Sequence, residues 1–552
     1  MKHFIIVSAL LLGAFSAKAQ FAGGDGSPQD PYQISTVNQL DSIRYFLDNH
    51  FILLNDLDIG DWISNHPDAD IQQNGWTPID SVFYGSLNGQ GYTLLGFFIN
   101  RPDDISCGLF EELSTTTYLH DLTIEFTDLF VGFGGGVFAG WGSGKIENCR
   151  VIGGTIHANE YFVGGLFGGA DSLTAISCSA NINIVSDGDD MMYAGGLFSF
   201  ISNSEIKSCH VKGDINIPYI VGGIAGQTTY SNYTNCSYIG NITGEQQCGG
   251  IAGNALNINV NNCYTKGKIE TTLTSPAYTS SLSGGLLGIT NYSTIRNSYS
   301  TMDISTPDMT VGGLLGYGEG DTVQKCYAAG NIEGDIYIGG ILGMFFEKAY
   351  IEKCVAANLS ITTTSNATSD TRRIGIIDMS CDAPQNNFAF EGMLINGERG
   401  TPSVGNGEDL SGEDIMRQST YTQSPLEWDF TPQTGDWKMP SSGCLPILAW
   451  QDDISDTADC FLSYLSYLSI KNVAKNEHAV SIYPCPASDY VNIQISDDMP
   501  MNDLYAYLYD ITGRLLHTQI LENKTTRIDL TDFTAGFYVL KVNNHTFKVV
   551  KK

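Results

Sequence analysis

The chain has many residues that could do chemistry, but few are spaced to do it together. Ser186-Asp187-Gly188-Asp189-Asp190 has the oxygen density of a cation loop. It lacks the full ligand spacing and terminal Glu of an EF-hand, so it reads as a solvated loop. Glu319-Gly320-Asp321 is a weaker version, and Asp56 and Asp58 are expected to serve a turn. Nine histidines are scattered without the HExxH spacing of a zinc protease. His157 and Glu160 are close in sequence, with no nucleophile placed beside them. There is no GxSxG nucleophile elbow, no P-loop and no GxGxxG following a strand. No catalytic residue and no metal ligand are therefore nominated, and no cofactor is implied. A polysaccharide-cleaving site would need clustered carboxylates and bases on one strand face. Three or more acids with a Lys or Arg on one coil face would mark it.

The elements available to position any site are repeats. Glycine makes up 61 of 552 residues, about 11% where ~7% is usual. A phrase recurs: a small or apolar residue, two glycines, two apolar residues, then usually glycine. It reads GGVFAG from Gly135, VGGLFG from Val163, AGGLFS from Ala194 and VGGIAG from Val221. It returns as CGGIAG from Cys248, SGGLLG from Ser283, VGGLLG from Val311 and IGGILG from Ile338. Gly108-Leu109-Phe110 is a degenerate first copy. The leading glycines, Gly135, Gly164, Gly195, Gly222, Gly249, Gly284, Gly312 and Gly339, recur about every 30 residues, which marks a solenoid.

A second ladder keeps the same phase: Cys149, Cys178, Cys209, Cys236, Cys263, Ser298, Cys326 and Cys354. Three residues before most members stands an apolar residue, such as Ile146, Ile206, Tyr233 or Val260. Apolar or small residues follow at two positions on (Val151, Ala180, Val211, Tyr238), and isoleucines at six (Ile215, Ile242, Ile269, Ile304, Ile332). Even offsets mean alternation, so these segments are strands with one face inward. Strand-length runs rich in Gly, Asn, Ser and Thr favour a β-solenoid over a helical one. Each repeat forms one coil, and coils stack at the ~4.8 Å strand spacing. The Gly-Gly pair marks a tight turn or a close backbone approach.

Thirteen cysteines suggest disulfides in an exported protein, but one per coil at a fixed phase behaves as a small buried residue in a stack. Ser298 fills the place once, which packing tolerates better than covalent pairing. Cys444 and Cys460 lie outside the ladder and are the more plausible disulfide pair. Asn148, Asn235, Asn262 and Asn297 precede ladder positions and fit amides stacked at a turn.

These phrases, with the I-x-N-C-x-V-x-G-x-I segments that follow, resemble the GLUG repeat of bacterial surface and adhesin-like proteins over residues 108 to 356. The resemblance extends upstream to Phe83–Tyr92 and downstream to a closing segment at Trp428-Asp429-Phe430, Trp437 and Leu445–Trp450. Thr36 N-caps an expected helix from Val37 to Leu47, placed to cover the open end of the solenoid. Phe51–Ile59 is expected to be the first strand. The pattern decays from Ile361 to Ser424.

The ends carry addresses. Lys2, an apolar run from Phe4 to Leu12 and Ala17-Lys18-Ala19 before Gln20 form a secretory signal with cleavage between Ala19 and Gln20. That run is too short to span a bilayer, and no later segment is long and apolar enough. Net charge is −32, which repels nucleic acid and anionic membranes. From Ala479 the grammar changes to short strands split by turns, as in a small β-sandwich. Tyr483, Pro484, Pro486 and Ala487 form Y-P-x-P-A, Asp510, Gly513 and Arg514 form D-x-x-G-R, and Gly536 and Tyr538 belong to A-G-x-Y, ahead of a basic end. These motifs resemble the type IX secretion C-terminal sorting domain over residues 479 to 552, with Cys485 where that family usually has Asn. The resemblance implies transit through the periplasm, contact with the type IX machinery, and placement on or outside a Gram-negative cell.

The expected fold is all-β: a parallel β-helix with an N-terminal helical cap, then a small β-sandwich. The expected segments are 1–19 signal peptide, 20–50 cap, 51–450 GLUG-type β-helix, 451–478 linker or last strand, and 479–552 sorting domain. The expected function is a surface adhesin or recognition scaffold meeting glycans, host matrix or other cells. The alternative is a carbohydrate-active β-helix enzyme, lyase or hydrolase-like.

Overall fold

The structure, a computed structural model, describes residues 20–158, 161–186, 192–272, 281–306, 310–364, 371–378, 381, 384–403, 405–440, 444–451, 480–483, 487–495, 504–510, 515–521, 523–534, 536–542 and 545–551. The chain divides into two units, residues 1–438 with 448–450, and residues 439–447 with 451–552.

The first unit is a parallel β-helix with three faces. One face is a ten-stranded sheet built from one short strand per coil, from Ser106–Cys107 to Thr371–Arg372. A second carries two strand files per coil, such as Ala225–Thr229 and Asn232–Thr234. The third includes strands such as Ser237–Gly244. The register follows the spacing in the sequence. The position two after the cysteine ladder stacks as Val151, Ala180, Val211, Tyr238, Thr265, Ser300, Ala328, Ala356 and Ala389. The isoleucines stack as Ile215, Ile242, Ile269, Ile304, Ile332, Ile361 and Ile395. All but the half-buried Ile395 point inward and build the core. Because the side-chain period is two, a slip by one residue would turn every one of them to solvent.

The double glycine is a close-approach device. A Cβ on Gly222 would lie 1.7 Å from the Ala225 carbonyl oxygen and 2.8 Å from Cα of Ala252 in the next coil. One on Gly223 would lie 2.2 Å from both the Gly250 carbonyl oxygen and the Tyr238 ring. The same collision with the carbonyl three residues on recurs at Gly164, Gly195, Gly249, Gly284, Gly312 and Gly339. In the first phrase Gly135 pairs with Val163, so Gly136 rather than Gly135 takes the place that Gly164 has.

The cysteine ladder is buried from Cys149 to Cys354. Each thiol also donates to the carbonyl two residues back at 3.2–3.5 Å. Ser298 does the same to Arg296 at 2.7 Å, so the ladder selects small donors as well as small volume. Burial pushes the thiols of Cys149, Cys209, Cys263 and Cys354 well up from their usual range. The asparagines before the ladder are there for backbone reasons. Asn148, Asn235, Asn262 and Asn297 all sit at φ between 46° and 56°, the left-handed region that Asn tolerates. Their amides do not form one stack: Asn148 donates to Asp121, while Asn262 and Asn297 donate to Asp436.

The amino-terminal cap is smaller than its pattern suggests. Thr36 caps a helix of Val37–Asp41 only, followed by a 3-10 turn Ser42–Tyr45. The Ser42 hydroxyl bonds back to the Asn38 carbonyl at 2.8 Å, a competition that distorts helices. The strand expected over Phe51–Ile59 is split into His50–Leu53 and Leu57–Asp58, and Asp58 caps a further helix Ile59–Ser64.

Beyond Ile361 the solenoid continues through strands Gly375–Ile377, Phe388–Phe390 and Glu408–Leu410. The chain then turns back as a strap along the outside of the third face. Lys353 pairs with Glu427 at 2.6 Å and Trp428 Nε1 donates to the Lys353 carbonyl at 3.0 Å. Trp437 lies 5.9 Å from Tyr327 and 6.2 Å from Tyr299 between ring centroids. Trp450 Nε1 donates to the Asn262 carbonyl at 2.9 Å, and its ring stacks on His210 at 5.2 Å. The strap thus runs back from the coil of Cys354 to that of Cys209.

The second unit contains a small antiparallel β-sandwich. One sheet is Val480–Tyr483, Tyr490–Ile495 and Thr525–Asp529; the other is Leu515–Ile520, Tyr505–Asp510, Gly536–Val542 and His545–Lys551. Val491, Ile493, Ile528, Leu508, Leu540 and Val549 meet in its core.

Candidate functional site

The two-file face of the solenoid offers the broadest surface for contact. Its outward file runs Glu112, Trp141, Gly169, Phe200, Gln227, Asn254, Ile289, Tyr317, Met344 and Ile376, one residue per coil. Alternation forces this, since the neighbouring positions Ile201, Thr228, Ala255 and Thr290 are buried. Gly169 leaves room for an indole: a Cβ there would lie 2.2 Å from Trp141. Trp141 and Phe200 stack across it at 6.3 Å, and Tyr317 meets Phe346 at 5.5 Å.

Two middle coils of this face carry no charge, and the third is charged only at its edges. Gln227, Thr229, Tyr230, Asn232 and Thr234 are followed in register by Asn254, Leu256, Asn257, Asn259 and Asn261, then by Ile289, Asn291, Tyr292 and Thr294. Arg296 closes the third of these coils in register with Asn261, and the Tyr292 hydroxyl donates to the carboxylates of Glu319 and Glu347 at 3.3 and 3.5 Å. In a chain of net charge −32, a neutral stretch of amides, hydroxyls and aromatic rings is unusual composition for a surface. It can offer hydrogen bonds in both directions, because each amide both donates and accepts.

Acids gather on the third face instead. Lys268 pairs with Glu270 and registers with Asp303, and the charges of Asp303 and Glu333 also act on it. This is the grouping of three acids and a base that an enzyme reading asks for. Each member has a local duty, however. Asp303 accepts the Asn331 backbone N–H at 2.7 Å, and Glu333 accepts the Ser305 hydroxyl at 3.2 Å. Lys268 and Glu270 are about half exposed, where ion pairs are weak and water competes.

The structure separates the other chemistry-bearing residues. Asp321, expected with Glu319 in an exposed turn, points inward and is fully buried. Its carboxyl accepts the Ser293 N–H at 2.7 Å and the Glu319 N–H at 2.9 Å. Burial pushes its pKa up to about 7 against these bonds, which lower it. It occupies the place of Ser204, Ser231 and Ser293, whose hydroxyls accept the N–H of the coil before: Leu173, Ser204 and Ile258. Asp56 accepts the Thr93 N–H and Asp58 the Asp61 N–H, both at 2.8 Å, so both shape turns. His157 stacks on Phe130 at 4.4 Å and lies 3.7 Å from Asp128. Glu160 and Asp187–Asp190 fall outside the described residues, as do Ala19, Cys460 and Cys485. Among the described residues no group of three or more His, Cys, Asp or Glu is placed to hold a metal ion. No helix among them is long and apolar enough to cross a membrane.

In the sandwich, Tyr483 is exposed and Ala487 is buried, its N–H bonded to the Val550 carbonyl at 2.7 Å. Asp510 registers with Tyr538, whose hydroxyl donates to the Thr534 carbonyl at 2.6 Å. Gly536 opens the strand that carries Tyr538. Pro484, Pro486, Gly513 and Arg514 lie outside the described residues. The basic end is partly structural: Lys551 Nζ donates to the carbonyls of Leu530 and Phe533, and Lys548 lies 4.2 Å from the Phe537 ring centroid.

Residues 481–552 match the secretion system C-terminal sorting domain. A stretch of 143 residues is 34% identical to a protein of Evansella cellulosilytica described as a Gly-rich membrane protein, covering 24% of this chain and 15% of that one. Another of 164 residues is 29% identical to halomucin of Haloquadratum walsbyi, covering 28% of this chain and 2% of that one. The matched stretches therefore span only a small part of these curated relatives. A solved structure described as an immunoglobulin A1 protease from Bacteroides ovatus aligns at 16% identity over 79% of this chain and 97% of that one, with a TM-score of 0.21. The sorting tail implies export to the cell surface or the extracellular space and an encounter with the secretion machinery.

Proposed function

We propose that the protein is a surface recognition scaffold, an adhesin, whose GLUG-type β-helix is carried out of a Gram-negative cell by type IX secretion. In this reading residues 1–19 are a signal peptide cut before Gln20, and residues 20–50 cap the solenoid. Residues 51–450 are the binding body, 451–478 a link, and 479–552 the sorting domain. Tyr483, Pro484, Pro486, Ala487, Asp510, Gly513, Arg514, Gly536 and Tyr538 are its sorting motifs, and the eight phrase glycines serve the coils rather than a ligand. The observation that carries the reading is the amide and aromatic surface, uncharged over two coils, laid across successive coils. Repeat proteins bind through such broad faces. Glycans, host matrix or neighbouring cells are the partners it suits.

The group of Lys268, Glu270, Asp303 and Glu333 favours a second reading, a carbohydrate-active enzyme. One experiment separates the two. The exported protein is applied to an array of glycans and matrix proteins, and soluble sugars released from each bound polysaccharide are assayed. Binding without release supports the scaffold. Release that disappears in Glu270→Gln or Asp303→Asn supports the enzyme. No retention on any array member refutes the scaffold.

A further inference from the structure

At the corner between the two strand files of this face, successive coils each place one residue in the left-handed conformation. The series is Ser172, Asn203, Tyr230, Asn257, Tyr292, Gly320 and Glu347, with φ between 48° and 68°. Their equivalence is set by the ladder, since each N–H from Asn203 to Gly320 bonds to the next coil's carbonyl just before its own corner. Asparagine and glycine accept this backbone; a bulky side chain there is strained. Strain of this kind is normally held in place by packing, and it clusters where function requires a particular presentation. Tyr230 is 59% exposed and Tyr292 is 54% exposed, so both rings present a face to solvent. Tyr292 lies over Gly320, where a Cβ would approach its ring to 2.6 Å, so its placement is built in.

We infer that Tyr230 and Tyr292, with the Asn257 corner between them, form a binding site for an uncharged polysaccharide chain lying along the solenoid axis. The inference rests on the recognition reading and specifies its ligand. Two coils separate the rings, about 9.6 Å at twice the ~4.8 Å strand spacing, the step of a disaccharide unit in an extended chain. The C–H face of a pyranose ring is apolar and packs on an aromatic face, while its hydroxyls seek donors and acceptors at the edge. Tyrosine supplies a rigid apolar face with a polar tip. Asn232 and Asn259, whose side-chain amides share a hydrogen bond from Asn259 Nδ2 to Asn232 Oδ1 at 2.7 Å, supply the edge partners. Charge decides between glycan types. A net charge of −32 repels polyanions, and the Glu319 and Glu347 carboxylates that accept from the Tyr292 hydroxyl add to that repulsion.

The test uses the full-length protein and the double variant Tyr230→Asn with Tyr292→Asn. Asn already holds this corner at residues 203 and 257, so the variant's melting temperature should be unchanged or raised. A second pair, Tyr230→Phe with Tyr292→Phe, keeps the rings and should keep binding. Retention is measured by affinity electrophoresis on cellulose, xylan, β-mannan, chitin and amylose. The expected result is wild-type retention on at least one of these, weakened about tenfold or more in the Asn pair. Equal retention of wild type and Asn pair overturns the corner site and leaves the recognition reading standing. Wild-type protein that ignores all five but binds a polyanionic glycan or a matrix protein overturns the neutral-glycan inference alone. Binding to nothing overturns both.

Discussion

Replacing Asp321 by serine should stabilise the solenoid, and the gain should grow with pH. Asp321 is buried among backbone groups with no cation beside it, and the nearby charge of Glu319 adds to the effect of burial. Its pKa is pushed up from the usual 3.8 to about 7. A carboxyl raised on folding contributes stability that is complete below its unfolded pKa and is lost as pH rises through the folded one. Between 3.8 and about 7 the loss is about 4 kcal/mol, at 1.36 kcal/mol per pH unit. Serine at this position already works in three coils, and Ser293 shows its hydroxyl bonding the carbonyl of Asn291 at 3.0 Å. The substitution gives up the bonds from the Glu319 N–H and the Thr290 hydroxyl, together worth about 1.5 kcal/mol. The net gain should therefore be about 2.5 kcal/mol near pH 8 and under about 1 kcal/mol near pH 5. Denaturant titrations of both proteins at the two pH values read it directly, because all other titrating groups cancel in the difference. A gain equal at both pH values, or a loss near pH 8, would refute the account of Asp321 as an uncompensated carboxylate.

Cys236→Asp should cost several kcal/mol by burying an unpaired carboxyl, whereas Cys236→Ser should cost about 1 kcal/mol or less because it copies Ser298; thermal melts separate the two, and rapid labelling of native ladder cysteines by a thiol reagent would sink the buried-stack picture. Gly222→Ala should lower stability by about 3 kcal/mol or more, since its Cβ would overlap the Ala225 carbonyl oxygen at 1.7 Å; an unchanged melting temperature would contradict the close-approach role. Deleting residues 479–552 should leave the passenger in the periplasm, while fusing them to a periplasmic reporter should carry it out. Cell fractionation decides this, and normal surface levels of the truncated chain would overturn the sorting assignment.

Much of the solenoid is legible in the sequence because its contacts repeat at a fixed spacing. Val151, Ala180 and Val211 stack in the structure as their common offset from the cysteines requires. What breaks the period is harder to read. The direction of Asp321 was hidden because Glu319-Gly320-Asp321 resembles a surface turn, and only alignment with Ser231 and Ser293 reveals an inward position. The asparagines before the ladder carried a real signal, but for left-handed backbone rather than stacked amides. The strap was invisible as a path: Trp428 and Trp450 bond residues 75 and 188 positions away, and no local pattern encodes such partners. The neutral surface needed register as well, since its residues share a face only after the coils are aligned.

The strap also changes how the solenoid answers force. In an unstrapped stack each coil holds only its neighbours, so tension on the C-terminal side peels the last coil first and the rest in turn. Here Trp450 is bonded beside Asn262, far from the final coil. A pull applied at Trp450 is borne first by its ring against His210 and Tyr264, then by Trp437 and Trp428 against the rings and carbonyls of later coils. These contacts are spread over coils from that of Cys209 to that of Cys354 and take the load in turn, in shear. A body tethered in this way resists unzipping as a riveted seam does, and the coils bearing Tyr230 and Tyr292 keep their spacing while the tether is under load.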